Sequence, residues 1–224
     1  MTPIAPISVF PFVYKKDLGY DPMLDLAPVS QLSTFDFSLA VANRVPAKTL
    51  QDLIAWLKAN PAEQNFGTPG AGTLPYFFAL QFGKAAGLDL KHVSYRGSAA
   101  AMNDLVGGQV TMVVTTTSDV VPQQKAGSVK VLATSEKQPF MAGVPTFAET
   151  GIKVSGNGWY AVYAPARTPA DVLDRYAAVL AAAVQKPDVK ERMLQMGMLP
   201  TGTSRARLGE IQKADAALWG PVIE

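Results

Sequence analysis

The chain has 224 residues, of which 48% are hydrophobic and 17% charged, and a formal net charge of +2. That length allows one large domain or two small ones with ample core, and near-neutrality gives no case for a nucleic acid or an acidic membrane surface as partner. The absence of cysteine excludes a disulfide scaffold and a thiolate metal site, and no apolar run reaches the length of a membrane span. The start, Met1-Thr2-Pro3-Ile4-Ala5-Pro6, lacks the basic region and long apolar core of a signal peptide.

Up to Asp25 the chain is rich in proline and aromatics. Phe10 to Tyr14 reads as a short helix or an apolar loop, and Asp21-Pro22 as a turn. Leu26 to Leu32 and Phe37 to Ala42 read as strands, the second with Phe37, Leu39 and Val41 in alternation. Thr49 to Asn60 is a helix: Thr49 and Asp52 make a capping box, Leu50, Leu53, Ile54 and Leu57 form its buried stripe, and Pro61 ends it.

A strand ending at Phe66 then runs into Gly67-Thr68-Pro69-Gly70-Ala71-Gly72-Thr73-Leu74-Pro75-Tyr76. Thr73 is the expected N-cap of a helix with the apolar stripe Phe77, Phe78, Phe82 and Ala85, stopped by Gly87. The pattern continues with a strand over Leu90 to Ser94, a helix over Ser98 to Val106 and a strand over Gln109 to Val114. Next come a helix over Ser118 to Ala126 and a strand over Val129 to Thr134. This alternation predicts parallel βαβ units and an α/β fold. A further strand covers Gly156 to Ala164. Thr168-Pro169-Ala170-Asp171, a capping box with proline at the first helical position, opens a helix to about Gln185, Pro187 to Met196 is helical, and Thr203 caps a last helix reaching Trp219.

The glycine-rich stretch is the first candidate site. Glycines let a backbone approach a guest closely, and free N–H groups at the positive end of a helix favour an anion. The plain alternative is an ordinary strand-to-helix turn. Ligands of open α/β sheets sit outside the carboxyl ends of strands, and three loops lie at such ends: Gly67 to Thr73, Tyr95 to Ser98, and Thr115 to Asp119. Hydroxyl-lined helix starts suit a small carboxylate held by neutral donors. The alternative for Thr115-Thr116-Thr117 is mere polarity at a strand end.

Signatures of catalysis are missing. His92, the sole histidine, sits in an apolar strand as a core or edge imidazole, and no Gly-x-Ser-x-Gly elbow occurs. Gly67 and Gly72 have the outer spacing of a phosphate-binding P-loop, but Thr73 stands where its lysine must be. No metal or cofactor is expected.

Along essentially its whole length the sequence resembles the Bug family, the periplasmic solute-binding proteins of tripartite tricarboxylate transporters. The resemblance is carried by Tyr14-Lys15-Lys16, Tyr20-Asp21-Pro22, Ala27-Pro28-Val29 and Val45-Pro46-Ala47-Lys48-Thr49. It continues in Phe66-Gly67-Thr68, Val93-Ser94-Tyr95-Arg96-Gly97-Ser98-Ala99, Asp104-Leu105-Val106-Gly107-Gly108-Gln109-Val110 and Val144-Pro145-Thr146-Phe147-Ala148-Glu149-Thr150-Gly151. It implies an α/β fold like that of type II periplasmic binding proteins, with two lobes of mixed or parallel sheets, and extracytoplasmic binding of a di- or tricarboxylate or an aromatic acid for delivery to membrane transporter subunits. The resemblance implies ligand contact by the loop from Thr68 to Thr73; the expected contacts are Thr68, Gly70, Ala71, Gly72 and Thr73, with Thr115, Thr116 and Asp119 on the facing side and Phe35 and Trp159 as aromatic walls. The departures are a family pattern entered roughly a hundred residues late, Thr115 where many members carry aspartate, and Ala71 where they carry a polar residue. Residues 38–155 should then form one complete lobe, and 1–37 with 156–224 an incomplete one that pairs with a second copy in a homodimer or larger assembly. The competing readings are an enzyme that reused the cleft and a shortened, non-binding assembly unit.

Overall fold

The computed structural model describes residues 1–223. The chain runs β1 (Thr2–Pro3), α1 (Ala5–Ser8), α2 (Phe10–Tyr14), β2 (Leu26–Phe35), β3 (Phe37–Ala42), α3 (Leu50–Ala59), β4 (Asn65–Thr68), α4 (Leu74–Ala86) and β5 (Lys91–Ser94). It continues α5 (Ser98–Val106), β6 (Met112–Thr116), α6 (Thr117–Lys125), β7 (Val129–Thr134), β8 (Gly158–Pro165), α7 (Ala170–Val184), α8 (Pro187–Gln195), β9 (Leu199–Pro200) and α9 (Arg205–Ile223). Two compact units result: Met1–Phe35 with the chain from Gly158 on, and Asp36–Asn157.

The Asp36–Asn157 unit has one sheet of order β5-β4-β6-β3-β7. β4 pairs in parallel with β5 and β6, while β3 is antiparallel to both β6 and β7. The parallel arrangement predicted by the alternation therefore holds for β4, β5 and β6 and is corrected at β3, which inserts in the opposite sense between β6 and β7. Every residue of β3 is buried. Its alternating large residues thus do not mark one wet face: Ser38, Ala40 and Ala42 are the small partners on a second covered face.

Local chemistry explains most element ends. The Thr49 hydroxyl accepts from the Asp52 amide at 3.1 Å, and the Asp52 carboxylate accepts from the Thr49 amide at 3.0 Å, closing the capping box of α3. α5 ends in a tight turn, with Gly108 N–H donating to Leu105 and Gln109 N–H to Asp104, so β6 starts later than its apolar run suggests. β4 extends two residues beyond Phe66 because Thr68 still registers with Ser94 of β5. The core is aromatic: Phe78 packs on Phe37 at 5.4 Å between ring centroids, and Phe147 stands edge-on to Phe78 at 5.2 Å and to Phe82 at 5.7 Å.

The other unit is built on an antiparallel sheet of order β1-β8-β2-β9. Val29, Leu173 and Ala177 form its buried cluster, with Ala27, Val162, Ala164 and Leu180 packed around it. Two expected caps are corrected. Pro169 occupies the N-cap of α7 itself, so no hydroxyl caps this helix. The Thr203 hydroxyl is drawn away to accept from the Gln31 amide at 2.9 Å, leaving Ser204 to accept from Arg207 at 3.2 Å. α9 runs past Trp219 to Ile223.

Phe147 has no exposed surface and its ring meets two others. Phe147→Ala is expected to lower the stability of the Asp36–Asn157 unit by about 3–5 kcal/mol. Urea unfolding checks this; a loss under about 1 kcal/mol would mean the ring does not hold the helices to the sheet.

Candidate functional site

The parallel strands β4, β5 and β6 end at one edge of their sheet, and each hands the chain to a helix there. The joining loops are stitched together. Tyr95 N–H donates to Thr68 O at 3.2 Å and Gly97 N–H to Pro69 O at 3.0 Å, tying the loop after β5 to the loop after β4. Ala71 N–H donates to Ser94 Oγ at 3.1 Å. Thr115 Oγ1 lies 3.3 Å from Ser98 Oγ, which ties the end of β6 to the start of α5.

The loop after β4 is shaped by two close approaches. The Tyr95 ring lies over Gly67, where a Cβ would come within 2.8 Å of it, and Gly72 turns the chain with φ +72°. Tyr95 is held in turn by a hydrogen bond of 2.9 Å to Asp104, and burial with that carboxylate pushes its hydroxyl up to about 12. Thr73 takes the predicted N-cap position of α4, but its hydroxyl does not cap: it donates to Gly70 O at 2.8 Å. Thr68 Oγ1 donates to the same carbonyl at 3.0 Å. The Gly72, Thr73, Leu74 and Tyr76 amides consequently have no acceptor among the described residues, and Pro75 has no N–H to offer.

The expected contacts separate into surface and support. Gly70, Gly72, Thr73, Thr116 and Asp119 are half-buried and Ala71 is exposed, whereas Thr68 and Thr115 are fully buried. The Thr68 hydroxyl is thus a brace inside the loop and not a ligand donor, and the Ala71 amide is spent on Ser94. Thr115 and Thr116 both donate to Asp119 Oδ2, each at 2.7 Å. Phe35 packs on Tyr160 at 5.3 Å in the other unit. Trp159 is fully buried there, its indole donating to Asp215 at 2.6 Å. That corrects Trp159 from an aromatic wall to a core residue.

His92 and Asp36 were not among the expected site residues. His92 Nε2 lies 2.7 Å from Thr68 Oγ1. Asp36 accepts from Thr117 Oγ1 at 2.6 Å while its main-chain carbonyl accepts from Thr117 N–H at 3.0 Å, so it anchors the start of α6. An aspartate before a strand carries no sequence signal for burial, which is why it escaped notice. Among the described residues no group of three His, Cys, Asp or Glu is placed to hold a metal ion, and no helix is long and apolar enough to cross a membrane. The other unit has a groove of about 790 Å³ lined by residues such as Pro28, Ala177, Ala181 and Arg205. Its one guanidinium is already spent on Asp174 at 2.7 Å and Pro28 O at 3.3 Å, so it offers a carboxylate little.

Unspent amides at clustered helix starts are chemistry suited to an anion. The family described as tripartite tricarboxylate transporter family receptor matches residues 2–224. The chain belongs to this family. It is 29% identical over 203 residues to the UPF0065 protein of the TAR-I ttuE-ttuC' intergenic region of Agrobacterium vitis, an overlap of 89% of this chain and 58% of that protein. The chain therefore spans less than two thirds of that relative's length. The structure of periplasmic binding protein BugD superposes with a TM-score of 0.81 at 26% identity, covering 97% of this receptor-family chain and 74% of BugD. Rpa4515 of R. palustris, solved with adipate, superposes with a TM-score of 0.86 at 25% identity, covering 99% of this chain and 75% of that one. The α/β architecture of periplasmic binding proteins is thereby established for this family member; its sheet is mixed in the Asp36–Asn157 unit, while the other sheet is antiparallel throughout and corrects the expected mixed or parallel pairing there.

Burial pushes the Asp36 carboxyl up to about 7 against the opposing hydrogen bond from Thr117, and its Oδ1 has no hydrogen-bond partner among the described residues. The folded chain therefore binds this proton more tightly than the unfolded chain, where an aspartate titrates near ~4. The associated stability is full below about pH 4 and is lost as pH rises through about 7. Asp36→Asn should flatten the fall in stability between about pH 6 and 8, where Asp215, raised by burial to about 6, contributes less. The variant should outlast the wild type at about pH 8 by roughly 2–4 kcal/mol. Urea midpoints across that range decide it, and an unchanged slope in the variant would overturn the assignment.

Proposed function

We propose that this chain binds a small organic carboxylate outside the cytoplasm, for delivery to a tripartite tricarboxylate transporter, and performs no chemistry on it. The observation that carries the reading is the set of unspent amides at Gly72, Thr73, Leu74 and Tyr76, beside the helix starts of α5 and α6. Amide donors at a positive helix end accept a carboxylate without a charged side chain. The receptor family and the adipate-bound relative support the ligand class, and the periplasmic relative supports the compartment.

In this reading the Gly72–Leu74 amides hold the carboxylate, with Thr116 and Asp119 at the margin of the same bed. Asp119 already accepts from two threonine hydroxyls, so its charge is partly compensated and faces inward to them. An enzymatic alternative has little to work with: the His92 nitrogen facing the loop is engaged by Thr68, and Asp36 is buried.

Calorimetry with adipate, succinate and citrate, beside a neutral diamide control, tests the proposal. One of the acids should bind and the control should not. Ala71→Glu places a like charge on the exposed rim, and should weaken the best acid by at least about ten-fold with no change in melting temperature. A wild type that binds none of the acids, or one that converts them, would overturn the reading.

A further inference from the structure

We propose that His92 is a positioning residue for the carboxylate bed, its Nε2–H holding the Thr68 hydroxyl so that Thr68 and Thr73 together mask the Gly70 carbonyl. This rests on the reading that the Gly72–Leu74 amides hold a carboxylate.

The geometry sets the direction of the chain of bonds. A threonine hydroxyl has one proton, and Thr68 gives it to Gly70 O at 3.0 Å. The Thr68 oxygen must then accept from His92 Nε2 at 2.7 Å, which requires the Nε2–H tautomer. Gly70 O receives a second hydroxyl from Thr73 at 2.8 Å, so both of its lone pairs are occupied. Gly70 precedes the free amides by two residues. An unmasked carbonyl there would present its negative end beside a bound carboxylate, or turn to capture one of the amides meant for it.

The imidazole is built to stay in place. It sits on β5 in register with Phe66, 5.0 Å from that ring and 4.6 Å from the Tyr76 ring in the first turn of α4. Burial lowers its pKa, in keeping with a neutral ring. Two residues on, Ser94 accepts from the Ala71 amide, so β5 braces the loop at two points from outside. Neither side chain needs to touch the ligand.

Two variants separate the hydrogen bond from the ring packing. His92→Phe keeps the aromatic contacts and loses the donor; His92→Gln loses the ring and keeps an N–H of similar reach. Adipate affinity should fall about 3- to 10-fold in His92→Phe and recover in His92→Gln. Thr68→Val should cause a similar loss, and the double variant His92→Phe/Thr68→Val should add nothing further. Two readouts need no ligand: the nitrogen NMR shifts of His92 in the wild type should report the Nε2–H tautomer, and exchange of the Ala71 amide, the one in this loop bonded to Ser94, should quicken about ten-fold in His92→Phe and not in His92→Gln. An Nδ1–H tautomer, unchanged exchange in the Phe variant, or rescue by Phe rather than Gln would overturn the proposal. A wild type that binds no carboxylate sinks the functional reading instead, and the tautomer and exchange results still decide the role of His92.

Discussion

A parallel strand that ends inside a sheet must pass its chain to a helix within a few residues, and in the Asp36–Asn157 unit three neighbouring strands do so at one edge. Each passage leaves amide groups that no helical carbonyl reaches. The hydrogen bonds between the joining loops manage those groups. Some are tied off across loops, as where Gly97 meets Pro69 and Ala71 meets Ser94. Others, at the start of α4, are left open while the competing Gly70 carbonyl is covered by two hydroxyls.

The recognition proposed for these amides rests on dipoles more than on charge. Amides at a helix start attract a carboxylate but distinguish poorly between acids, so the remainder of the ligand has to be read by other groups. A receptor family serving varied carboxylates can then keep one anion bed and vary its rim. Ala71, the exposed residue of the glycine-rich turn, lies on such a rim. Thr115 in this chain has turned inward, to Ser98 and Asp119.

Each unit also holds a carboxyl out of water, Asp36 fully buried beside Thr117 at the start of α6 and Asp215 half-buried against the Trp159 indole. Burial raises both above the usual aspartate range, against hydrogen bonds from Thr117 and the main chain at Asp36 and from the Trp159 indole at Asp215. Such groups are tolerated because the protonated form carries no charge into the interior. They tie the stability of the units to pH.

Much was legible in the sequence because it is local. The capping box at Thr49 and Asp52, the glycine stop at Gly87, and the spans of α5 and β7 follow from residues a few positions apart. The glycine-rich turn and the helix starts it feeds were equally visible, and so was the family, from short motifs in a fixed order. What a side chain does with its hydrogen bond was not, since that depends on which partners tertiary packing brings near. Thr73 and Thr203 look alike as helix caps, yet one is pulled to Gly70 and the other to Gln31, far away in the chain. Trp159 reads as a ligand wall until α9 brings Asp215 to its indole. The sense of β3 was likewise hidden, because alternation of large residues reports burial and not direction. The sequence by itself determined the glycine-rich turn, the helix it opens, and the family. Packing between strands distant in sequence decided which hydroxyls became braces, that His92 stands behind Thr68, and which amides were left free.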